Sequence, residues 1–378
     1  MRVLILSITA GQGHHAAGKS LSDALIRRGA EVLTIDVYKE INRLLYDGVN
    51  RGYLLSTKYA PAAYRHFYTL FENKDKCGKH SISSLVNMLL GNKFDHNIEE
   101  FHPDFIICTH IFSAQVVNEL KRQGRYLDVP TLGIVTDYTI HPFWQDIPYI
   151  EYINLASDLL YNKAVRRGIE RKRLCSFGIP VQEKFSTKIS KEEARTALNI
   201  PVDKPVALVM AGSMGYGNMS AIVESMESLN LDLTILAVCG KNDRQKKKLL
   251  DLPPRKNRLV FGYVNNVDIM MDAADCIVTK PGGLTVTEAM AKKLPMILVN
   301  PIPGQEERNV DFLLNNGIAL AVNKSFTIDD AVYFLFQCPG RLDSIAERLD
   351  IVARPHATAN IADFIMEHRP QHSPLPME

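Results

Sequence analysis

Runs of buried-strand character alternate with helical spacing from the first residues of this chain. Residues 3–8 form a continuous apolar, β-branched run, the pattern of a parallel strand covered on both faces. Ala17, Leu21, Ala24 and Leu25 then recur at helical spacing, and Gly29 follows as a stop signal. Residues 32–37, 105–110 and 131–137 read as further strands, the last two separated by a helical segment at 113–120. Strands separated by helices imply βαβ units, a parallel sheet, and ligands at the carboxyl ends of the strands.

The alternation restarts after a proline-rich stretch at 178–204. Residues 205–210 predict a strand, followed by a glycine-rich turn and a helix from about Ser220. Further strands are expected at 233–240, 258–264, 276–280 and 295–300, and a last helix at roughly 355–368. The expected fold is α/β, with two facing, doubly wound, Rossmann-like domains. The first spans 1–178, with 355–378 returning to it, and the second spans 179–354. One stretch breaks the rhythm: 41–100 reads as a long, mostly helical insertion rich in Tyr and Phe.

A length of 378 residues suits two domains at roughly 100–200 residues each. With 44 Lys plus Arg against 42 Asp plus Glu, the net charge of +2 excludes a bulk polycation for nucleic acid. Six cysteines lie far apart with no C-x-x-C pair, which argues against a disulfide framework or a structural zinc site and fits a reducing cytosol. No apolar run approaches the roughly 18 residues of a spanning helix, so any membrane contact is expected to be peripheral.

The loop TAGQGHHAAGKS at 9–20 satisfies two patterns literally and admits a third reading. Gly13-x-x-x-x-Gly18-Lys19-Ser20 matches the phosphate-binding P-loop, and would make the chain a nucleotide-hydrolysing enzyme. Context opposes this, because helical periodicity already includes Ala17, which leaves Lys19 a solvated helix residue. Gly11-x-Gly13-x-x-Ala16, with Asp36 at the end of the second strand, matches a dinucleotide fingerprint. In the third reading, Gly11 and Gly13 let another molecule approach the backbone, and His14 takes a proton from a hydroxyl. Otherwise His14 only caps the turn. Asp137 and His141 follow another strand in TDYTIHPFW, where a carboxylate can orient an imidazole or act as base itself, or else Asp137 is an N-cap and Trp144 is packed.

The second half carries the more specific signal, TKPGGLTVTEAMAKKLPMILVNPIPGQEERN at 279–309. Gly282 and Gly283, before a helix starting near Leu284 or Thr285, make an anion site suited to a pyrophosphate. Glu288, one turn into that helix, can accept hydrogen bonds from both hydroxyls of a ribose. Gln305 and Glu306 suit sugar hydroxyls. The turn at 211–217, with Gly212, Ser213 and Gly215, is again placed for phosphate.

This block closely resembles the monogalactosyldiacylglycerol synthase and processive diacylglycerol glucosyltransferase family, relatives of the peptidoglycan-precursor N-acetylglucosaminyltransferase. The resemblance extends to GQGH, to VTDYTIHPFW, to FGIPV and to FGYVNNV, and covers nearly the whole chain. It implies the two-domain GT-B fold and inverting transfer of a hexose, glucose ahead of galactose, from a UDP-sugar to the hydroxyl of diacylglycerol. No metal or cofactor beyond the donor is implied. Carried onto this sequence, it places the diphosphate on Gly212, Ser213, Gly282, Gly283, Leu284 and Thr285. The uracil falls against the backbone of Val264, the ribose on Glu288, and the donor sugar on Gln305 and Glu306. His14 and Asp137 remain alternatives for activating the acceptor.

A diacylglycerol headgroup lies at a bilayer surface. In the insertion, Arg51, Lys58 and Arg65 recur every seven residues among tyrosines and phenylalanines, which suits an anionic membrane interface. A second basic run spans 241–258. The expected location is the cytoplasm, peripheral to the inner face of the cell membrane.

Overall fold

The structure, a computed structural model, describes residues 1–8, 12–37, 39, 93–210 and 218–368. The chain divides into two compact units, Met1–Gln182 with His356–Glu378, and Glu183–Pro355. Most of the expected insertion, including Arg51, Lys58 and Arg65, lies outside the described residues, as do Gly11 and the turn holding Gly212, Ser213 and Gly215.

The first unit is built on β1 (Arg2–Ser7), β2 (Glu31–Asp36), β3 (Phe105–Cys108), β4 (Thr131–Ile134), β5 (Tyr152–Asn154) and β6 (Leu174–Cys175). These six strands lie in the order β2-β1-β3-β4-β5-β6. All pair in parallel, and β1 is central, with Ile5 opposite Thr34 on one side and Ile107 on the other. The chain first steps from β1 to β2 and then crosses to β3, so the topological switch point falls between β1 and β3. That is where an open parallel sheet leaves a crevice at its carboxyl edge.

Helix α1 (Gln12–Arg27) follows β1 and stops as the sequence indicates. Gly29 takes a φ of 80°, its N–H donates to the Ile26 carbonyl, and the Ala30 N–H reaches back to Leu25. This is the Schellman arrangement that a residue without a Cβ adopts at low cost. Helices α2 (Lys93–Phe101), α3 (Ile111–Arg122) and α4 (Tyr161–Arg166) complete the first pass of the chain.

The second unit repeats the plan with β7 (Val206–Met210), β8 (Thr234–Val238), β9 (Arg258–Phe261), β10 (Cys276–Thr279), β11 (Met296–Leu298) and β12 (Ala319–Ala321). Their order, β12-β11-β10-β7-β8-β9, puts the switch point between β7 and β10. Its helices are α5 (Lys191–Ala197), α6 (Met219–Ser228), α7 (Asp243–Asp251), α8 (Val267–Ala273), α9 (Gly283–Ala291), α10 (Gln305–Asn315), α11 (Ile328–Gln337) and α12 (Arg341–Val352).

The last helix, α13 (Ala357–Glu367), belongs to the first unit. Its Ile361, Ala362 and Ile365 share one core with Val3 and Ile5 of β1, Leu21 and Leu25 of α1, and Phe105 and Ile107 of β3. Polar links fix the dock: Arg28 Nε to Asp363 at 2.7 Å, and Thr358 Oγ1 to the Val181 carbonyl at 2.6 Å.

The basic run at 241–258 proves not to be a single surface patch. Arg258 is buried, pairs with Glu227 at 3.1 Å and donates to the carbonyls of Leu249 and Leu252. Lys256 donates to the carbonyls of Leu229 and Leu231. Both side chains satisfy main-chain carbonyls around helix ends, a structural use of cations.

Candidate active site

Three histidines gather at the carboxyl edge of the first sheet. His14 sits in the first turn of α1, His110 immediately after β3, and His141 after β4. The His14 Nδ1 lies 3.0 Å from the Thr109 carbonyl and 3.0 Å from Thr136 Oγ1. A carbonyl oxygen only accepts, so Nδ1 carries the proton and Nε2 is left with its lone pair. Burial pushes the His14 pKa below 6.5, partly opposed by the charge of Asp137 and by the Thr109 hydrogen bond. The outcome is a neutral imidazole with a fixed tautomer, the form a general base requires.

His110 was not singled out by the sequence motifs. Its ring stands edge-on to that of His14, with centroids 4.6 Å apart and planes at 82°. The Phe112 N–H donates to His110 Nδ1 at 3.0 Å, capping α3, so its Nε2 carries the hydrogen. Burial, together with His14 and His141, holds its pKa well below 6.5. The sequence did carry a signal for it. It directly follows the buried run 105–109, at the carboxyl end of a strand beside β1. His141 uses its Nδ1 to receive the Phe143 N–H at 3.3 Å. Asp137 precedes it in the same loop and acts on His14 through its charge. Trp144, expected at the acceptor loop, is instead buried, with its ring over Gly133: a Cβ there would lie 2.4 Å from Trp144 Cζ3.

The competing readings of the first loop do not match this geometry. Helix α1 starts at Gln12 and already contains Gly13, Gly18 and Lys19, with Lys19 exposed. Gly18 packs on Ile5 and Thr109 and has no open space for a phosphate. Asp36, the acid of the dinucleotide fingerprint, is engaged by His15 Nε2 at 2.9 Å and by the Lys39 N–H at 3.3 Å. Cys108, at the end of β3, is not a thiol nucleophile, since burial pushes its pKa up to about 12. Among the described residues, no group of three or more His, Cys, Asp or Glu side chains is placed to hold a metal ion.

In the second unit, the loop after β10 leads directly into α9. Gly282 is the N-cap, with no side-chain cap hydrogen bond, in an extended conformation open to any residue (φ −69°, ψ 135°). The nearest heavy atom to a Cβ placed there is Glu306 Oε1 at 3.6 Å. Among the described residues, no side chain caps the N-terminus of α9, where Gly283 is buried and Leu284 and Thr285 are partly exposed.

The two halves of the 279–309 motif are stitched together. Lys280 Nζ meets Glu306 Oε1 at 2.7 Å, and Asn309 Nδ2 donates to the Pro281 carbonyl at 2.9 Å. The other oxygen of Glu306 accepts the Ile302 N–H at 2.7 Å. Glu306 is thus buried and occupied in holding the loop, a different place from the sugar contact expected of it. Gln305 begins α10 just past Gly304, whose φ is 86° and whose N–H is taken by Glu307 Oε2 at 2.8 Å.

Glu288 is half-buried on α9, and burial raises its pKa to about 8, against the pull of Lys184. Val264 lies in the loop between β9 and α8, at the same carboxyl edge. The residues expected to meet phosphate, ribose and base thus follow β9 and β10 in one sheet.

Comparison with known proteins agrees with both halves. Residues 14–181 match the family described as Monogalactosyldiacylglycerol (MGDG) synthase, and residues 190–351 match Glycosyl transferases group 1. The processive diacylglycerol beta-glucosyltransferase of Bacillus cytotoxicus is 30% identical over 382 residues, covering 100% of this chain and 96% of the relative. Among solved structures, MurG of Acinetobacter baumannii superposes with a TM-score of 0.62 at 15% identity, covering 97% of this chain and 99% of that one. Alr3699/HepE of Anabaena, solved in complex with UDP and glucose, superposes with a TM-score of 0.52 at 13% identity, covering 97% of this chain and 100% of that one. With two parallel sheets in the GT-B arrangement and a relative this similar along its full length, the chain belongs to the monogalactosyldiacylglycerol synthase and processive diacylglycerol glucosyltransferase family of glycosyltransferases.

Proposed function

We propose that this protein transfers a hexose, glucose ahead of galactose, from a UDP-sugar to the hydroxyl of diacylglycerol at a membrane surface. The observation that carries the reading is His14, held neutral with its Nδ1–H on the Thr109 carbonyl and its Nε2 lone pair available. In the proposed step, the acceptor oxygen attacks the anomeric carbon while His14 Nε2 takes its proton. The bond from that carbon to the phosphate oxygen breaks, and UDP leaves with the electron pair. The open N-terminus of α9 offsets the charge that builds on the diphosphate, and this supports a reaction without a catalytic metal.

A single displacement inverts the anomeric centre. UDP-glucose is α-linked, so this stereochemistry agrees with the beta-glucosyl transfer in the name of the Bacillus relative. Glu288 is assigned to the ribose, the Val264 backbone to the uracil, and Gln305 to the sugar. Asp137 acts by raising the proton affinity of the base. Arg51, Lys58 and Arg65 are assigned to the membrane surface. Among the described residues no helix is long and apolar enough to cross a bilayer.

The test is direct. The protein is incubated with each UDP-hexose and diacylglycerol vesicles, and the lipids are resolved by mass. A glycolipid formed from UDP-glucose supports the reading, and absence of product from every donor sinks it.

A further inference from the structure

A lysine that none of the motifs contains sits at the centre of the ribose corner. Lys184 belongs to the 3-10 turn Glu183–Phe185, which opens the second unit. Its ammonium donates to the Asn265 carbonyl and lies 3.1 Å from Asp268 Oδ1. Asn265 is the residue after Val264, and Asp268 is in the first turn of α8. Glu288 of α9 feels both charges, Lys184 favouring its ionised form and Asp268 opposing it. The ammonium touches Asp268 and acts on Glu288 only through its charge. Asp268 holds it by contact, and Glu288 remains the uncommitted acid.

One turn further along the same helices, Asp272 and Lys292 form a buried pair at 2.6 Å, and Lys188 is influenced by the Asp272 charge. That pair joins α8 to the end of α9 and does not involve Lys184. Lys184 belongs instead to the corner where base and ribose are assigned.

Resting on that assignment of Val264 and Glu288, we propose that Lys184 is a positioning residue for the nucleoside of the donor. It anchors the loop at 262–266 through the Asn265 carbonyl and supplies the positive charge that lets Glu288 accept both ribose hydroxyls. A diol offers two O–H donors, and only an ionised carboxylate accepts from both without giving up one oxygen to its own proton. With Glu288 half-buried near Asp268, the compensating charge among the described residues is Lys184. Lys184 thus couples loop shape to acid ionisation, and both features serve recognition of a ribonucleotide.

The experiment is calorimetric titration with UDP from pH 6.5 to 9, on the full-length protein and its Lys184→Met and Lys184→Arg variants, with melting temperatures recorded alongside. The unaltered protein is expected to bind UDP more tightly as pH rises towards about 8. Lys184→Met should bind about tenfold more weakly near neutrality, with its rise displaced to higher pH, and Lys184→Arg should recover most of the affinity. Equal binding by Lys184→Met, or a loss by the same factor at every pH, would overturn the proposal while leaving the donor site standing. Failure of the unaltered protein to bind UDP at any pH overturns the donor reading itself, and this inference with it.

Discussion

The two units place their candidate chemistry at the same topological position and treat charge in opposite ways. At the β1/β3 switch point the first unit assembles imidazoles that burial and mutual repulsion keep neutral. At the β7/β10 switch point the second unit gathers fixed charges, Lys280 on Glu306 and Lys184 on Asp268, around an uncapped helix N-terminus. A base must be empty of its proton to act, whereas a diphosphate is met by the N–H groups of a helix start, both lysines here being already paired with carboxylates. The doubly wound plan provides the crevice in both cases. The loops and helix starts that follow the strand ends distinguish the two crevices.

The largest expected effect breaks the first half of the contrast. His14→Gln should lower transfer by roughly a thousandfold while leaving UDP affinity nearly unchanged. Loss of both together would mean that His14 supports the donor site or the fold instead. Asp137→Asn sharpens the same point. Its charge raises the His14 pKa, so the variant should carry the acid limb of the rate profile to lower pH and keep its plateau. If Asp137 were itself the base, the plateau would collapse by about a hundredfold or more.

Next in size is Glu288→Gln, which addresses the second unit. Its folded-state pKa of about 8 lies above the ordinary 4.5, so near neutrality the acid is mostly protonated and must release its proton to accept two hydroxyls. UDP binding should therefore release a proton below about pH 8 and tighten as pH rises. The glutamine variant should bind about tenfold more weakly and lose that dependence. The sign for stability is the reverse: ionising a half-buried acid with a raised pKa destabilises the fold. Melting temperature should thus fall more steeply between pH 4.5 and 8 in the unaltered protein than in Glu288→Gln.

How much of this was legible from the chain depends on how much signal each part leaves. Long buried runs such as those of β1, β7 and β8 announce themselves, and from them followed two doubly wound halves. Strands β5, β6 and β12 are three, two and three residues long, too short to show a period. The glycine-helix start at Gly282 was legible because its pattern is local. Glu306 was not, because its role depends on meeting Lys280, 26 residues earlier in the chain. His110 and Lys184 were missed for the same reason. Each is ordinary in its own segment and acquires meaning only when parallel strands bring separate loops to one edge.

A smaller effect tests whether the cradle is open for a ligand or merely for the fold. Gly282 has a conformation that alanine also adopts, and its Cβ would make ordinary contact at 3.6 Å. Gly282→Ala should leave stability within about 0.5 kcal/mol, as substitutions outside packed features do. If a diphosphate approaches the backbone there, UDP affinity should still fall several-fold. Unchanged affinity would move the phosphate elsewhere on the sheet edge. Gly133→Ala makes the control in the first unit, since its methyl would collide with Trp144 and destabilise by about 1–3 kcal/mol without touching nucleotide affinity.

The smallest expected effect is the most diagnostic for the contrast as a whole. Lys19 completes a literal P-loop pattern, and in that role its ammonium would carry most of the nucleotide affinity. Here α1 begins at Gln12, and Lys19 is exposed on a helix whose Gly18 is pressed against Ile5 and Thr109. Lys19→Ala should therefore leave UDP affinity and transfer within about twofold, and stability within ~0.5 kcal/mol, the usual range for an exposed helix position. A tenfold or greater loss of nucleotide affinity would place the nucleotide in the first unit. The neutral histidine crevice would then be an anion site after all, and the division of labour between the two switch points would fail at its root.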